Sequence, residues 1–127
     1  MLDGLGRHSY TIAMRFVDDP EIAAWLEALE GIWQDFDWDA GNRTKNRKHG
    51  VDTEDVEALL GQPVLLAGRI VQPEQNEPRW LLLGRDDKGR RLALVFTRRG
   101  GLLRPISCRP MRRIERQVYE EAIGGAE

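Results

Sequence analysis

The stretch RWLLLGRDDKGRRLALVFTRRGGLLRPISCRP, residues 79–110, holds three apolar runs separated by two turn signals. Arg79–Arg85, Leu92–Thr97 and Leu102–Cys108 read as strands, because each is short, apolar and bounded by turn residues. Asp86-Asp87-Lys88-Gly89 and Gly100-Gly101 lie between them, and glycine supplies the positive φ that tight hairpins need. Val64–Val71 adds an earlier strand across the polar loop QPEQNEP, so residues 64–108 form a β meander. Pro105 cannot donate to a ladder, which predicts an edge strand or a bulge there.

Helices are expected on both sides of the meander. Pro110 can open a last helix running to about Ala122. Upstream, Asp39 can cap a short helix through Lys48, ended by Gly50; Val51 and Asp52 open another through Leu60, closed by Gly61 and Pro63. Val56, Leu59 and Leu60 are its core candidates. Further upstream, Ser9–Val17 alternates with Tyr10, Ile12, Met14 and Phe16 on one face and reads as a strand. Asp19 and Pro20 then start a helix whose stripe is Ile22, Trp25, Leu26, Leu29, Ile32 and Trp33. Met1–Gly6 reads as a flexible lead-in. The chain of 127 residues thus divides into a strand–helix extension, 1–35, packed on a main domain, 36–127. The expected class is α+β, with helices on a mainly antiparallel sheet of four to five strands.

A single cysteine, Cys108, excludes an internal disulfide, and with only His8 and His49 no metal or cofactor site is expected. No apolar run approaches the ~18 residues of a membrane span, and a cytoplasmic protein is the default. The net charge of −2 hides an asymmetry. Residues 1–42 hold two bases against nine acids, whereas residues 79–116 hold twelve bases against three acids. A basic segment of this kind either meets a polyanion or neutralises the acidic end of its own chain.

The arginines refine that choice. If Leu102–Cys108 alternates regularly, Arg104 shares a face with Leu102, Ile106 and Cys108. An arginine among apolar neighbours needs a partner or a cleft. Arg85 closes one strand and Arg99 ends the next, so with Arg104 they can converge on one end or one face of the sheet. Arginine suits phosphate because its planar fork makes two-point contacts and stays charged. Arg90, Arg91, Arg112, Arg113 and Arg116 read instead as solvated side chains. A second basic cluster comprises Arg43, Lys45, Arg47, Lys48 and His49; His49 suits a helix C-terminus as well as catalysis. Phosphate-loop, nucleophile-elbow and zinc-protease motifs are absent. The residue types left could cleave RNA without metal, through a base on the 2′-hydroxyl, arginines on the phosphate and an acid for the leaving oxygen.

In order along the chain stand Phe36-Asp37-Trp38-Asp39, Lys48-His49-Gly50, Gly84-Arg85, Thr97-Arg98-Arg99-Gly100, Arg104–Arg109, and Glu115 with Tyr119. Together, over about residues 36–122, they resemble the BrnT family, the ribonuclease toxins of type II toxin–antitoxin systems with a RelE-like fold. The resemblance implies a cytoplasmic endoribonuclease that halts translation. It implies a BrnA-like antitoxin with a ribbon-helix-helix domain, and operator DNA contacted only through that antitoxin. Carried over, the catalytic set falls on Glu77, Arg85, Arg99 and Arg104, with Lys48, His49, Arg79 and Arg109 binding substrate. Arg85 and Arg104 would grip the phosphate, Arg99 stabilise the transition state, and Glu77 move a proton. The sequence departs from the family pattern at Arg98, where an acid is usual, and at Gly101, Leu102, Pro110 and Pro78, where charged residues are usual. Two other functions fit the same residues: an RNA-binding module without activity, or an interaction protein whose basic face docks an acidic partner. For residues 1–35, packing on the core stands beside a second reading, an acidic helix that covers the basic cleft.

Overall fold

The computed structural model describes residues 14–30 and 33–123. The Ser9–Ala13 part of the expected first strand lies outside them, as do Ile32, the Trp33 side chain and the Met1–Gly6 lead-in. Five strands, β1 (Arg15–Val17), β2 (Leu65–Gln72), β3 (Trp80–Arg85), β4 (Arg91–Arg99) and β5 (Leu102–Pro110), form one antiparallel sheet in chain order. Among the described residues four α-helices pack on it: α1 (Pro20–Ala28), α2 (Ala40–Arg43), α3 (Thr53–Ala58) and α4 (Arg113–Ala122). The class is α+β, with the meander in the expected order. Gly89, Gly100 and Gly101 take φ of 83°, 59° and 82° at its two turns.

Paired residues of adjacent strands share a face, so the register separates two cores. Trp80, Leu82, Leu92, Leu94, Phe96, Leu103 and Cys108 face one side, where Ile22 and Leu26 of α1 join Phe36, Val51, Val56 and Leu59. Leu60 packs against this core half-buried. On the other side Ile70, Leu81, Leu83 and Ala93 meet Met111 and Tyr119, and the Tyr119 hydroxyl donates to the Pro63 carbonyl at 2.8 Å.

Three helix expectations are corrected. The helix opened by Asp19 and Pro20 stops at Ala28, with Leu29 already extended (ψ 147°), so the 3–4 stripe overran the helix. The segment expected as one helix to Lys48 breaks at Thr44 into α2 and a 3₁₀ turn, Lys45–His49. Pro110 ends β5 rather than starting a helix, because the Met111 N–H donates to the Arg91 carbonyl and extends the ladder.

Chain approach fixes one further point that the sequence did not show. Gly68 has φ of 137°, and a Cβ there would stand 2.6 Å from the Val17 carbonyl oxygen. The register slips between Leu66 and Gly68, and β1 crosses this irregularity closely enough to need glycine.

Candidate nucleic-acid interface

The site begins with one extra residue in β5. Val95 pairs with Ser107 but Phe96 pairs with Pro105, so Ile106 is inserted as a bulge. The insertion reverses the alternation. Leu103, Pro105 and Cys108 turn inward, whereas Leu102, Arg104, Ser107 and Arg109 share the opposite face with their partners Arg99, Thr97, Val95 and Ala93. Arg104 therefore does not sit among Ile106 and Cys108, as regular alternation had suggested. It pairs with Asp39 at 2.7 Å and Asp37 at 3.5 Å.

Two buried asparagines hold the bulge. The Asn42 side chain donates to the Pro105 carbonyl and to the Asp37 carbonyl, each at 3.0 Å. Asn42 and Asp39 also exchange hydrogen bonds at the start of α2, at 2.7 and 2.9 Å. Four residues on, Asn46 accepts from the Cys108 N–H at 3.0 Å. The same contacts set the electrostatics. The backbone N–H of Asn42, then the Arg104 guanidinium, hold the Asp39 carboxyl below its usual range. Asp39, followed by Asp37, raises Arg104 further above its already high value.

The other arginines of this face each have a setting. Arg99, exposed, meets the half-buried Glu77 at 3.4 Å, and the neighbouring Pro78 carbonyl accepts from the Thr97 hydroxyl at 2.8 Å. Arg79, just before β3, is half-buried, and its Nε is buried without a hydrogen-bond partner among the described residues. Arg109 makes a two-point pair with Glu115 of α4 at 2.7 and 2.9 Å. Burial alone would raise Glu115, but the hydrogen bonds from Arg109 and the Arg112 N–H bring it below its usual value.

Register decides which expected residues meet. Arg85 pairs with Arg91, six residues along β4 from the Thr97–Arg104 pair, roughly 20 Å away. Arg85, Arg99 and Arg104 thus share a face but not an end. Arg109, opposite Ala93, stands between the two groups. Lys48 and His49 are exposed at the end of the 3₁₀ turn, where the Gly50 carbonyl accepts from Arg90 at 2.8 Å. That places them at the hairpin end, away from Arg99 and Arg104. Arg90 is not a solvated strand end: it also bonds Asp86 at 2.8 Å and Asp55 at 2.9 Å. Arg91 is likewise engaged, with Glu120. Arg112, Arg113 and Arg116 are exposed as expected.

Sequence reasoning missed Asn42, Asn46 and Ser107, and gave Asp39 only a capping role. The spacing of Asn42 and Asn46 was the available signal, since residues four apart share a helix face. The acidic helix α1 does not cover the basic face. It lies on the opposite side of the sheet, with Trp25 stacked on Phe96 at 6.5 Å between ring centroids. Its Glu21 reaches Arg98 at 3.7 Å, and Arg98 lies over the Trp25 ring at 5.4 Å.

One face of the antiparallel sheet is thus closed by apolar residues, and the other, beside the apolar patch under α4, carries Arg99, Arg104 and Arg109 next to carboxylates. The family model of the ribonuclease toxin BrnT, of type II toxin–antitoxin systems, matches residues 38–115. The chain belongs to this toxin family, whose members are ribonucleases paired with an antitoxin. No curated protein matches the chain. The matched span contains the bulge, both asparagines and every arginine of the open face, and it ends at Glu115. Strand β1 and helix α1 lie outside it. No helix among the described residues is long and apolar enough to cross a membrane.

Proposed function

We propose that this chain is a cytoplasmic endoribonuclease that cuts RNA without a metal ion and thereby inhibits translation. A BrnA-like ribbon-helix-helix antitoxin neutralises it and is its only route to operator DNA. The observation that carries the reading is the row Arg104, Ser107, Arg109 on one open sheet face, flanked by Arg99 and Arg79. Arg109 is held by a two-point carboxylate pair and Arg104 by two separate carboxylates, contacts of the kind that phosphate oxygens can replace.

In the proposed reaction the RNA 2′-oxygen attacks the adjacent phosphorus and the 5′-oxygen leaves with a proton. The products are a 2′,3′-cyclic phosphate and a 5′-hydroxyl. Arg104 grips the phosphate, Arg99 stabilises charge in the transition state and Glu77, within 3.4 Å of Arg99, moves a proton. Arg85 serves the phosphate backbone farther along the strand, because it stands at the other end of the face. Arg79 and Arg109 bind flanking phosphates, and Lys48 and His49 are at most peripheral contacts.

The test is incubation of labelled single-stranded RNA with the protein in EDTA, beside Arg104→Ala and Glu77→Gln. Cleavage by the wild type and its loss in Arg104→Ala are expected. Full cleavage by Glu77→Gln would remove that carboxylate from the mechanism. Intact RNA with salt-sensitive binding would make the protein a silent RNA-binding module.

A further inference from the structure

We infer that the groove between α4 and the paired ends of β4 and β5 is a second RNA-backbone site, which extends the substrate footprint beyond the cleavage face. The inference rests on the ribonuclease reading above. The groove encloses about 800 Å³ and is lined by Arg90, Arg91, Arg113, Arg116, Met111 and Glu120, among others.

Its charges are not equivalent. Arg90 is committed to Asp86 and Asp55, and Arg91 to Glu120, the groove's own carboxylate. Arg113 and Arg116 are exposed and make no ion pair among the described residues. They lie three apart in the first turn of α4, so they present two cations on one side of the helix. The helix dipole at that end favours an anion as well.

Position links the groove to the cleavage face. Arg109 makes its two-point pair with Glu115 of α4, which stands between Arg113 and Arg116, so the β5 row of Arg104, Ser107 and Arg109 ends at the helix that carries them. A single strand gripped at Arg104 and leaving past Arg109 meets Arg113 and Arg116 next.

The lining also selects the class of ligand. Its large apolar members Leu92 and Met111 are already 0% and 8% exposed, so its apolar surface comes from Pro110 and the arginine stems and offers no large side chain for a peptide to anchor on. Protein partners draw most of their binding energy from buried anchors, whereas non-specific binding of a phosphodiester backbone comes mainly from cations. The occupant is therefore the RNA backbone rather than an acidic peptide.

The test uses two probes that cannot be cleaved, a 2′-O-methyl trinucleotide and a 2′-O-methyl dodecanucleotide. Fluorescence anisotropy measures their affinity for the wild type and for Arg113→Gln/Arg116→Gln. Both substitutions are at exposed helix positions, and circular dichroism checks the fold. For the dodecanucleotide we expect about tenfold weaker binding, with the slope of log K against log salt shallower by about 1.4, the loss of two phosphate contacts. The trinucleotide should bind both proteins alike. Equal dodecanucleotide affinity and slope in the two proteins would overturn the groove site while leaving the cleavage face intact. An equal loss for both probes would also overturn it, by making these arginines part of the main site. Failure of the wild type to bind either probe would refute the RNA-binding reading itself, and the groove site with it.

Discussion

The two faces of the sheet use alternate residues of the same strands for opposite purposes. On one face Trp80, Phe96 and Leu103 are sealed beneath α1, α3 and Phe36. On the other, α4 closes only part of the surface, and Arg99, Arg104 and Arg109 stand beside carboxylates. The apolar face supplies stability through burial. The basic face keeps charges together that would repel if unpaired. Changes on the two faces should therefore separate in experiment.

The largest effect should come from Phe96→Ala. Phe96 is fully buried and stacks on Trp80 at 5.6 Å and Trp25 at 6.5 Å, so its loss should cost about 3–5 kcal/mol in denaturant unfolding. A variant that unfolds like the wild type would show that α1 does not share this core. Next is Arg104→Ala, which should slow RNA cleavage roughly 10²–10³-fold while barely moving the melting temperature. A large fall in melting temperature instead would assign Arg104 to structure and erase the contrast between the faces.

Glu115→Gln tests whether the basic face is tied to the fold. It breaks a two-point pair with Arg109 and should cost about 1.5–3 kcal/mol at neutral pH. The Glu115 carboxyl is held below the usual glutamate value of 4.5, so its contribution is complete above that value. It fades as pH falls through the lowered value in the folded protein. The stability gap between wild type and variant should close in acid, and a gap that widened there would reverse the assignment. The smallest effect is expected for Arg98→Ala, about 0.5–1 kcal/mol, from the lost contact with the Trp25 ring.

Much of the fold was legible because its turns declare themselves. Asp86–Gly89 and Gly100-Gly101 could be little else, and Pro105 announced both features found at β5, an edge and a bulge. The misplaced boundaries arose where tertiary bonds overrode local pattern. Nothing within α1's own stripe says that Leu29 turns extended, or that the chain past Pro110 adds one more bond to the ladder. The site was half legible. Strand spacing left open whether Arg85, Arg99 and Arg104 share one end or one face, and the bulge at Ile106 together with the register decides for the face. That Arg104 would meet Asp39, 65 residues away, depends on how the Phe36–Asp39 segment lies along β5. That Arg85 would stand at the far end follows only from the register.

Strand β5 closes one side of the sheet, and its outer backbone is the surface on which a foreign strand would pair. Phe36 bridges Leu103, and the Asp37 N–H donates to the Leu103 carbonyl at 2.8 Å. Asn42 and Asn46 then occupy the Pro105 carbonyl and the Cys108 N–H, on either side of the inserted Ile106. No regular row of donors and acceptors remains between Leu103 and Cys108 for a second molecule to copy. The devices that aim Arg104 thus also guard this margin against polymerisation, so substitutions at Asn42 or Asn46 should show themselves in solubility as well as in activity.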